Sequence, residues 1–145
     1  MQIREAIQSD IPELHRIRNS VTENALSNPD LIKDEDYINY LFLQGKGWIC
    51  EINKKIVGFS VVDLKENNVW ALFVDPAFEK AGVGKNLLTT LLNWYFNMTK
   101  ETIWLGTAFD TRAEEFYKRQ RWIDAGFHGT NERKFIMTYD QWNSQ

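Results

Sequence analysis

Apolar positions in this 145-residue chain fall into short blocks whose spacing changes from block to block. Ile3 to Ala6 predicts a short opening strand. Ile11, Leu14, Ile17 and Val21 then recur at the helical interval. Ser9 and Asp10 stand before them as caps, with Pro12 in the first turn and Glu13 three residues after Asp10. A polar stretch from Thr22 to Asn28 ends at Pro29. Asp34 to Asp36 open a second helix carrying Tyr37, Ile38, Leu41 and Phe42, which Gly45 and Gly47 are expected to stop.

Trp48 to Ile52 and Ile56 to Leu64 predict two strands, with Asn53-Lys54-Lys55 as the hairpin turn between them. A second turn covers Lys65 to Asn68. Val69 to Val74 is apolar at every position, which predicts a central strand buried on both faces and ended by Asp75-Pro76. Gly82 to Asn97 gives the clearest helix, with Val83, Leu87, Leu88, Leu91, Leu92 and Tyr95 on one face. Ile103 to Ala108 predicts a strand, and Asp110 or Thr111 caps a helix whose inner face carries Ala113, Phe116 and Tyr117. Two last strands are expected at Trp122 to Phe127 and Lys134 to Tyr139. This order predicts an α/β fold over residues 1–145: one domain, with a mixed central β-sheet flanked by helices on both faces.

Glu79-Lys80-Ala81-Gly82-Val83-Gly84-Lys85 joins the central strand to the long helix. Glycines let the backbone approach a ligand, and a helix N-terminus offers free N–H groups and roughly half a positive charge. That combination suits a phosphate, and Lys80 and Lys85 add full charges. A nucleoside-triphosphate loop of the Walker type needs Gly in place of Glu79 and Ser or Thr in place of Asn86, so both of its marks are missing. A dinucleotide fingerprint needs a third Gly at Leu87. A glycine-rich turn that merely starts a helix is the remaining alternative.

Composition narrows the classes. Hydrophobic residues make up 43% and charged residues 26%, ordinary globular values that exclude a disordered or fibrous chain. The net charge of -3 is unlike the basic surface of a nucleic-acid binder. Cys50 is the single cysteine and sits in an apolar run, so no internal disulfide or metal spacing exists. No apolar run approaches the roughly 20 residues that cross a membrane, and no signal peptide is seen, so a cytoplasmic protein is expected.

The run Leu72 to Leu88, LFVDPAFEKAGVGKNLL, resembles the acetyl-CoA-binding motif of the GNAT superfamily of N-acetyltransferases. Gly82 and Gly84 match it, while Glu79 stands where the family has Gln or Arg. The run Asp110 to Tyr117 is similar to the second family motif: Ala113, Phe116, Tyr117 and Trp122 match. Asp110 replaces Asn there, and Arg121 replaces the Gly before Trp122. The resemblance implies transfer of an acetyl group from acetyl-CoA to a primary amine by direct attack. It implies that the pyrophosphate rests on the backbone amides of Ala81, Gly82, Val83, Gly84 and Lys85, with Lys80 nearby. The strands beside the cofactor are expected to splay, leaving Leu72, Phe73 and Val74 to bond the pantetheine arm, with oxyanion donors near Phe73 and Val74.

Tyr117 is then the expected acid for the departing thiolate; its alternative role is a core aromatic paired with Phe116. Glu23, after the first helix, leads the candidates for the base, ahead of Asp63, Glu51 and Asp110. His15 and His128 are given no site role. Trp70 and Trp104 lie on strands beside the expected cleft, with core packing as the alternative. Arg112 could meet the substrate or a cofactor phosphate, although a solvated position is favoured. The acceptor is a small-molecule or protein amine, and acidic residues near the acceptor loop hint at a cationic one. Altered motif positions keep a second reading open, an acyl-CoA-binding module without turnover. Open strand edges allow a homodimer.

Overall fold

The computed structural model describes residues 1–21 and 31–145. It contains seven strands: β1 (Gln2–Glu5), β2 (Gly45–Ile52), β3 (Lys55–Asp63), β4 (Asn68–Val74), β5 (Ile103–Ala108), β6 (Ile123–His128) and β7 (Glu132–Met137). The helices are α1 (Ile11–Ser20), α2 (Asp34–Ile38), α3 (Val83–Met98), α4 (Arg112–Arg119) and α5 (Tyr139–Asn143). All seven strands form one sheet in the order β1-β2-β3-β4-β5-β7-β6. Every neighbouring pair is antiparallel except β4 and β5.

Each face of the sheet has its own core, because hydrophobic residues alternate along β2 and β3. On one face Ile11, Leu14 and Ile17 of α1 and Tyr37 of α2 pack against Ile49, Phe59, Val61 and Ala71. On the other, Val83, Leu87, Leu91 and Tyr95 of α3 cover Trp48, Cys50, Val57 and Ile103. Burying one such Leu stabilises by roughly 1.5–3 kcal/mol, so the α3 face alone anchors the helix firmly. Cys50 is fully buried, and burial pushes its thiol pKa up. Among the described residues no helix is long and apolar enough to cross a membrane.

Three expectations change. Gly45 and Gly47 do not end a helix; they lie within β2. A side chain at Gly45 would strike the Val62 and Tyr40 carbonyl oxygens, so glycine is needed where β2 leaves the helical segment. The final apolar run is divided between β7 and a short helix, α5, whose N-cap Thr138 accepts a hydrogen bond from the Gln141 N–H. Tyr139 and Trp142 of α5 then pack on Phe96.

The third change is in β4. It is central, but Leu72, Phe73 and Val74 are only half-buried. The β3–β4 register steps from Val61↔Ala71 to Val62↔Val69, so Trp70 is an extra residue on β4. This bulge puts Trp70 on the same face as Ala71 and Phe73, while Val69, Leu72 and Val74 face α3.

Burial pushes the Tyr95 phenol up to about 12, with Glu101 adding to the shift, and raises Tyr117 and Tyr37 as well. An unfolded tyrosine ionises near ~10. Above that pH the unfolded chain releases protons that the folded chain keeps, so stability falls as pH rises toward 12. Urea midpoints followed by tryptophan fluorescence should therefore be flat below pH ~10 on account of these tyrosines and decline above it. Tyr95→Phe should shallow that decline; a midpoint that holds steady well above pH ~10 contradicts the argument.

Candidate active site

β4 and β5 are joined by one register pair, Asn68↔Trp104, supported by the Trp104 N–H donating to the Asn67 carbonyl at 3.1 Å. Beyond it the strands part. The opening is a cleft of about 1050 Å³, lined by Leu72, Phe73 and Val74 on one side and residues of α4 on the other. The Asp75 N–H donates to the Val57 carbonyl of β3 at 2.8 Å. Amide directions alternate along a strand, so those of Val74 and Leu72 point away from β3 toward the opening. Phe73 instead directs its amide into the β3 ladder. Of the two oxyanion donors expected, Val74 is the one placed to act.

The glycine loop lies at the mouth of this cleft. Gly82 caps α3 with φ +79°, a left-handed conformation that side chains resist. Among the described residues, the first α3 amide taken by the backbone is that of Asn86, which donates to the Gly82 carbonyl. The amides of Gly82, Val83, Gly84 and Lys85 are left as donors at the positive end of the helix. The Ala81 amide, also expected to be available, donates to the Phe78 carbonyl at 3.2 Å. Lys80, Gly82, Gly84 and Lys85 border the cleft, while the Val83 side chain is buried in the core.

A second helix N-terminus, that of α4, faces the same space but is partly capped by side chains. Thr111, not Asp110, caps it: its Oγ1 accepts from the Glu114 N–H at 3.2 Å. The buried Glu114 carboxylate accepts from the Asp110 N–H at 2.9 Å. That bond outweighs burial and, with Lys118 and Arg133, holds Glu114 below the usual carboxylate range. The α3 end, which carries no side-chain cap, is therefore the more open to an anion.

Glu79 borders the cleft and forms an ion pair with Arg112 of α4. This answers the sequence's main departure at the loop: the acidic side chain is neutralised by a cation from the facing helix. Arg112 is thus engaged across the cleft mouth, not solvated on its helix. Arg121 is a milder departure. It has φ +66° just after α4, the conformation for which a glycine is the usual solution, and the Trp122 N–H closes the helix end on the Tyr117 carbonyl at 3.1 Å.

Tyr117 is a core aromatic that also borders the cleft. Its ring is 6% exposed and packs on Phe116, Trp122 and Phe135. The residue also borders the cleft, and burial raises its pKa, so the phenol stays protonated at neutral pH. A protonated phenol is a hydrogen-bond donor to a nearby oxygen or sulfur.

Glu23 and its neighbour Asn24 lie outside the described residues. Asp63 is buried and accepts from Gln44 Nε2 and the Lys65 N–H at 2.9 Å each, which fixes the β3–β4 hairpin. Glu51 bonds Arg4. Neither borders the cleft, whereas exposed Asp110 does. His15 bonds Asp34 at 2.7 Å, and His128 packs on Trp104. Trp70 stacks on Tyr40 on the α1 face, and the Trp104 Nε1–H donates to the Glu66 carbonyl; neither lines the cleft. Residues not singled out from the sequence also reach it: Val21, Glu115 and Arg119. The last two share a helical face with Arg112 and Phe116, a spacing legible in the sequence.

The model of the acetyltransferase (GNAT) family matches residues 11–121. No curated protein sequence matches the chain. Solved structures share the fold. The PaiA N-acetyltransferase from Thermoplasma acidophilum, in complex with coenzyme A, is 13% identical with a TM-score of 0.80, covering 95% of this chain and 98% of its own. The ribosomal-protein-S18-alanine N-acetyltransferase from Escherichia coli is 18% identical with a TM-score of 0.73, covering 94% and 90%. YncA from Salmonella typhimurium, with its cofactor acetyl-CoA, is 17% identical with a TM-score of 0.74, covering 97% and 94%. The family match spans α1 to the end of α4, the frame that builds the cleft, and this chain belongs to the GNAT family of acetyltransferases.

Proposed function

We propose that the protein transfers an acetyl group from acetyl-CoA to a primary amine of a small molecule or protein by direct attack. The observation that carries this reading is the opening between β4 and β5, with the free α3 N-terminus at its mouth and Tyr117 at its wall. The residues present fit the donor. Gly82 to Lys85 offer amides to a pyrophosphate, Lys80 and Lys85 offer charge, and the open edge of Leu72 and Val74 suits an extended amide-bearing arm. Bound acetyl-CoA supplies an activated acyl group and a thiolate leaving group. The Val74 N–H stabilises negative charge developing on the acyl oxygen, without reorganisation, because the strand holds it in place. The Tyr117 hydroxyl donates to the departing sulfur. The buried Cys50 offers no route through a covalent acyl-enzyme. Glu23 remains our proposal for the base. A cytoplasmic setting, and a homodimer through an open edge at β1 or β6, extend the same reading.

Calorimetric titration with acetyl-CoA, with CoA and ATP as comparisons, tests the donor site. A side-chain carbon at Gly84 would lie 3.5 Å from Val74 and 3.7 Å from Phe116, so a larger residue occupies the cleft. Gly84→Val should weaken acetyl-CoA binding by tenfold or more (about 1.4 kcal/mol) while the thermal midpoint is kept. Unchanged affinity would place the cofactor elsewhere.

Once an amine screen has identified an acceptor, Tyr117→Phe should lower kcat by roughly 10²-fold or more, with little change in acetyl-CoA affinity. An equal loss of binding would make Tyr117 a structural aromatic. Binding without turnover for any amine would favour an acyl-CoA-binding module.

The Glu79–Arg112 pair gives a charge test. Arg112→Ala leaves Glu79 uncompensated beside the phosphates and should weaken CoA binding several-fold. Glu79→Gln should tighten it, and the double variant should recover most of the Arg112→Ala loss. If Glu79→Gln weakens binding, the carboxylate contributes to the site in another way.

A further inference from the structure

Beside the opening of β4, on the α1 face of the sheet, lies a cation whose hydrogen bonds are unmade. Arg18, in the last turn of α1, is held by two aromatic rings, its guanidinium carbon 5.3 Å from the Trp70 centroid and 4.7 Å from that of Phe73. Its Nε and Nη1 are buried and have no hydrogen-bond partner. The Tyr37 hydroxyl is in the same condition, on a residue with no exposed surface. It lies near enough to Arg18 for the cation's charge, and a side-chain contact with it too poorly aligned to count as a full hydrogen bond, to counter part of the pKa rise that burial causes.

Among the described residues, three carboxylates on or near α1 are engaged elsewhere. Glu13 bonds Arg16, Asp34 bonds His15, and Asp75 bonds Arg16 and the Ala77 N–H. Cation–π contacts offset part of the cost of burying Arg18. They supply no acceptors for its N–H groups, and an unsatisfied buried donor is costly. A site with donors in excess and one positive charge is complementary to a single planar anion.

Its position ties this site to the chemistry. Phe73 lines the cleft and is also one of the rings that hold Arg18. Val21, which follows α1, lines the cleft too. Arg18 as a whole residue is half-buried, with its Nε and Nη1 enclosed. We infer that Arg18 and Tyr37 bind the acceptor, and that the acceptor is a small amine carrying a carboxylate, such as an amino acid. This deepens the acetyl-transfer reading and rests on it. A carboxylate presents two oxygens to the guanidinium fork and can accept from the phenol as well. One cation balances a monoanion, whereas a phosphate dianion would leave uncompensated negative charge. The sequence hinted at a cationic acceptor, but the ionic group described beside Phe73 on the α1 face is itself a cation.

The test uses matched probes on the wild-type protein with saturating acetyl-CoA, followed by release of the CoA thiol. Glycine, β-alanine and leucine are compared with their amides, with aminoethylphosphonate, and with spermidine. The free acids should be acetylated with kcat/KM about tenfold or more above the amides, the phosphonate and spermidine. Arg18→Met should raise KM for the acids by a similar factor and leave KM for the amides unchanged. Arg18→Lys should recover part of the loss, since it restores charge without the fork. Amides or spermidine used as well as the acids would overturn the assignment, as would an Arg18→Met effect equal on acids and amides. If Arg18→Met does not fold, the wild-type comparison still decides.

Because Trp70 packs on Arg18, tryptophan fluorescence in the presence of CoA reads binding of the same probes independently of turnover. Acids bound in preference to amides, with no acetyl transfer, would keep the carboxylate site and overturn the transfer reading. Transfer to amides alone would do the reverse.

Discussion

The structure depends on the parting of β4 and β5 after a single pair. Between neighbouring strands of one sheet, unpaired amides are costly unless something else accepts from them. Here the gap has chemistry on every side: the Val74 and Leu72 amides, the α3 N-terminus at its mouth, and Tyr117 on the opposing helix. The two cores hold it open. α3 is anchored on one face by Val83, Leu87 and Leu91, and α1 on the other by Ile11, Leu14 and Ile17. Neither strand can close the gap without disturbing a packed face, so the opening is preorganised.

Electrostatic order in the cleft follows from which groups are already satisfied. Two helix N-termini point toward it, and a dipole argument alone would assign an anion to either. Glu114 favours the α3 end, because its carboxylate takes the Asp110 N–H while its own N–H caps on Thr111. Arg133 and Lys118 hold that carboxylate from outside. Glu79 and Arg112 neutralise one another at the rim. What remains available is the first turn of α3 with Lys80 and Lys85, a positive patch on a chain whose net charge is negative.

Local features were the legible ones. The α3 periodicity, the Gly82 cap, the Thr111-x-x-Glu114 start of α4 and the order of strands all follow from residues close in sequence. The Ala113-Phe116-Tyr117 face was legible for the same reason. The site's long-range pairings were not. Glu79 and Arg112 are 33 positions apart, so each looked like an isolated surface charge until the fold joined them. Arg121 looked like a broken motif because the left-handed backbone that suits glycine cannot be read from an arginine. The half-burial of Leu72 to Val74 was hidden because a uniformly apolar strand predicts two covered faces and does not predict a missing neighbour. The extra residue of the β4 bulge has no sequence mark either, since Val-Trp-Ala reads equally well as regular strand.

That bulge links the two ends of the proposed reaction. One extra residue at Trp70 reverses the alternation of β4 partway along the strand. Beyond it, Leu72 and Val74 face α3, and the Asp75–Val57 bond fixes their amides toward the opening. At the bulge itself Trp70 joins Ala71 and Phe73 on the α1 face, where Trp70 and Phe73 together grip the Arg18 guanidinium. A regular strand would place Trp70 and Ala71 on opposite faces, so this pair of rings could not form beside an open β4 edge. One backbone irregularity therefore positions the proposed oxyanion donor on one side of β4 and the Arg18 guanidinium on the other. The proposed acyl and acceptor-recognition sites are in this way held in register by the same short segment of chain.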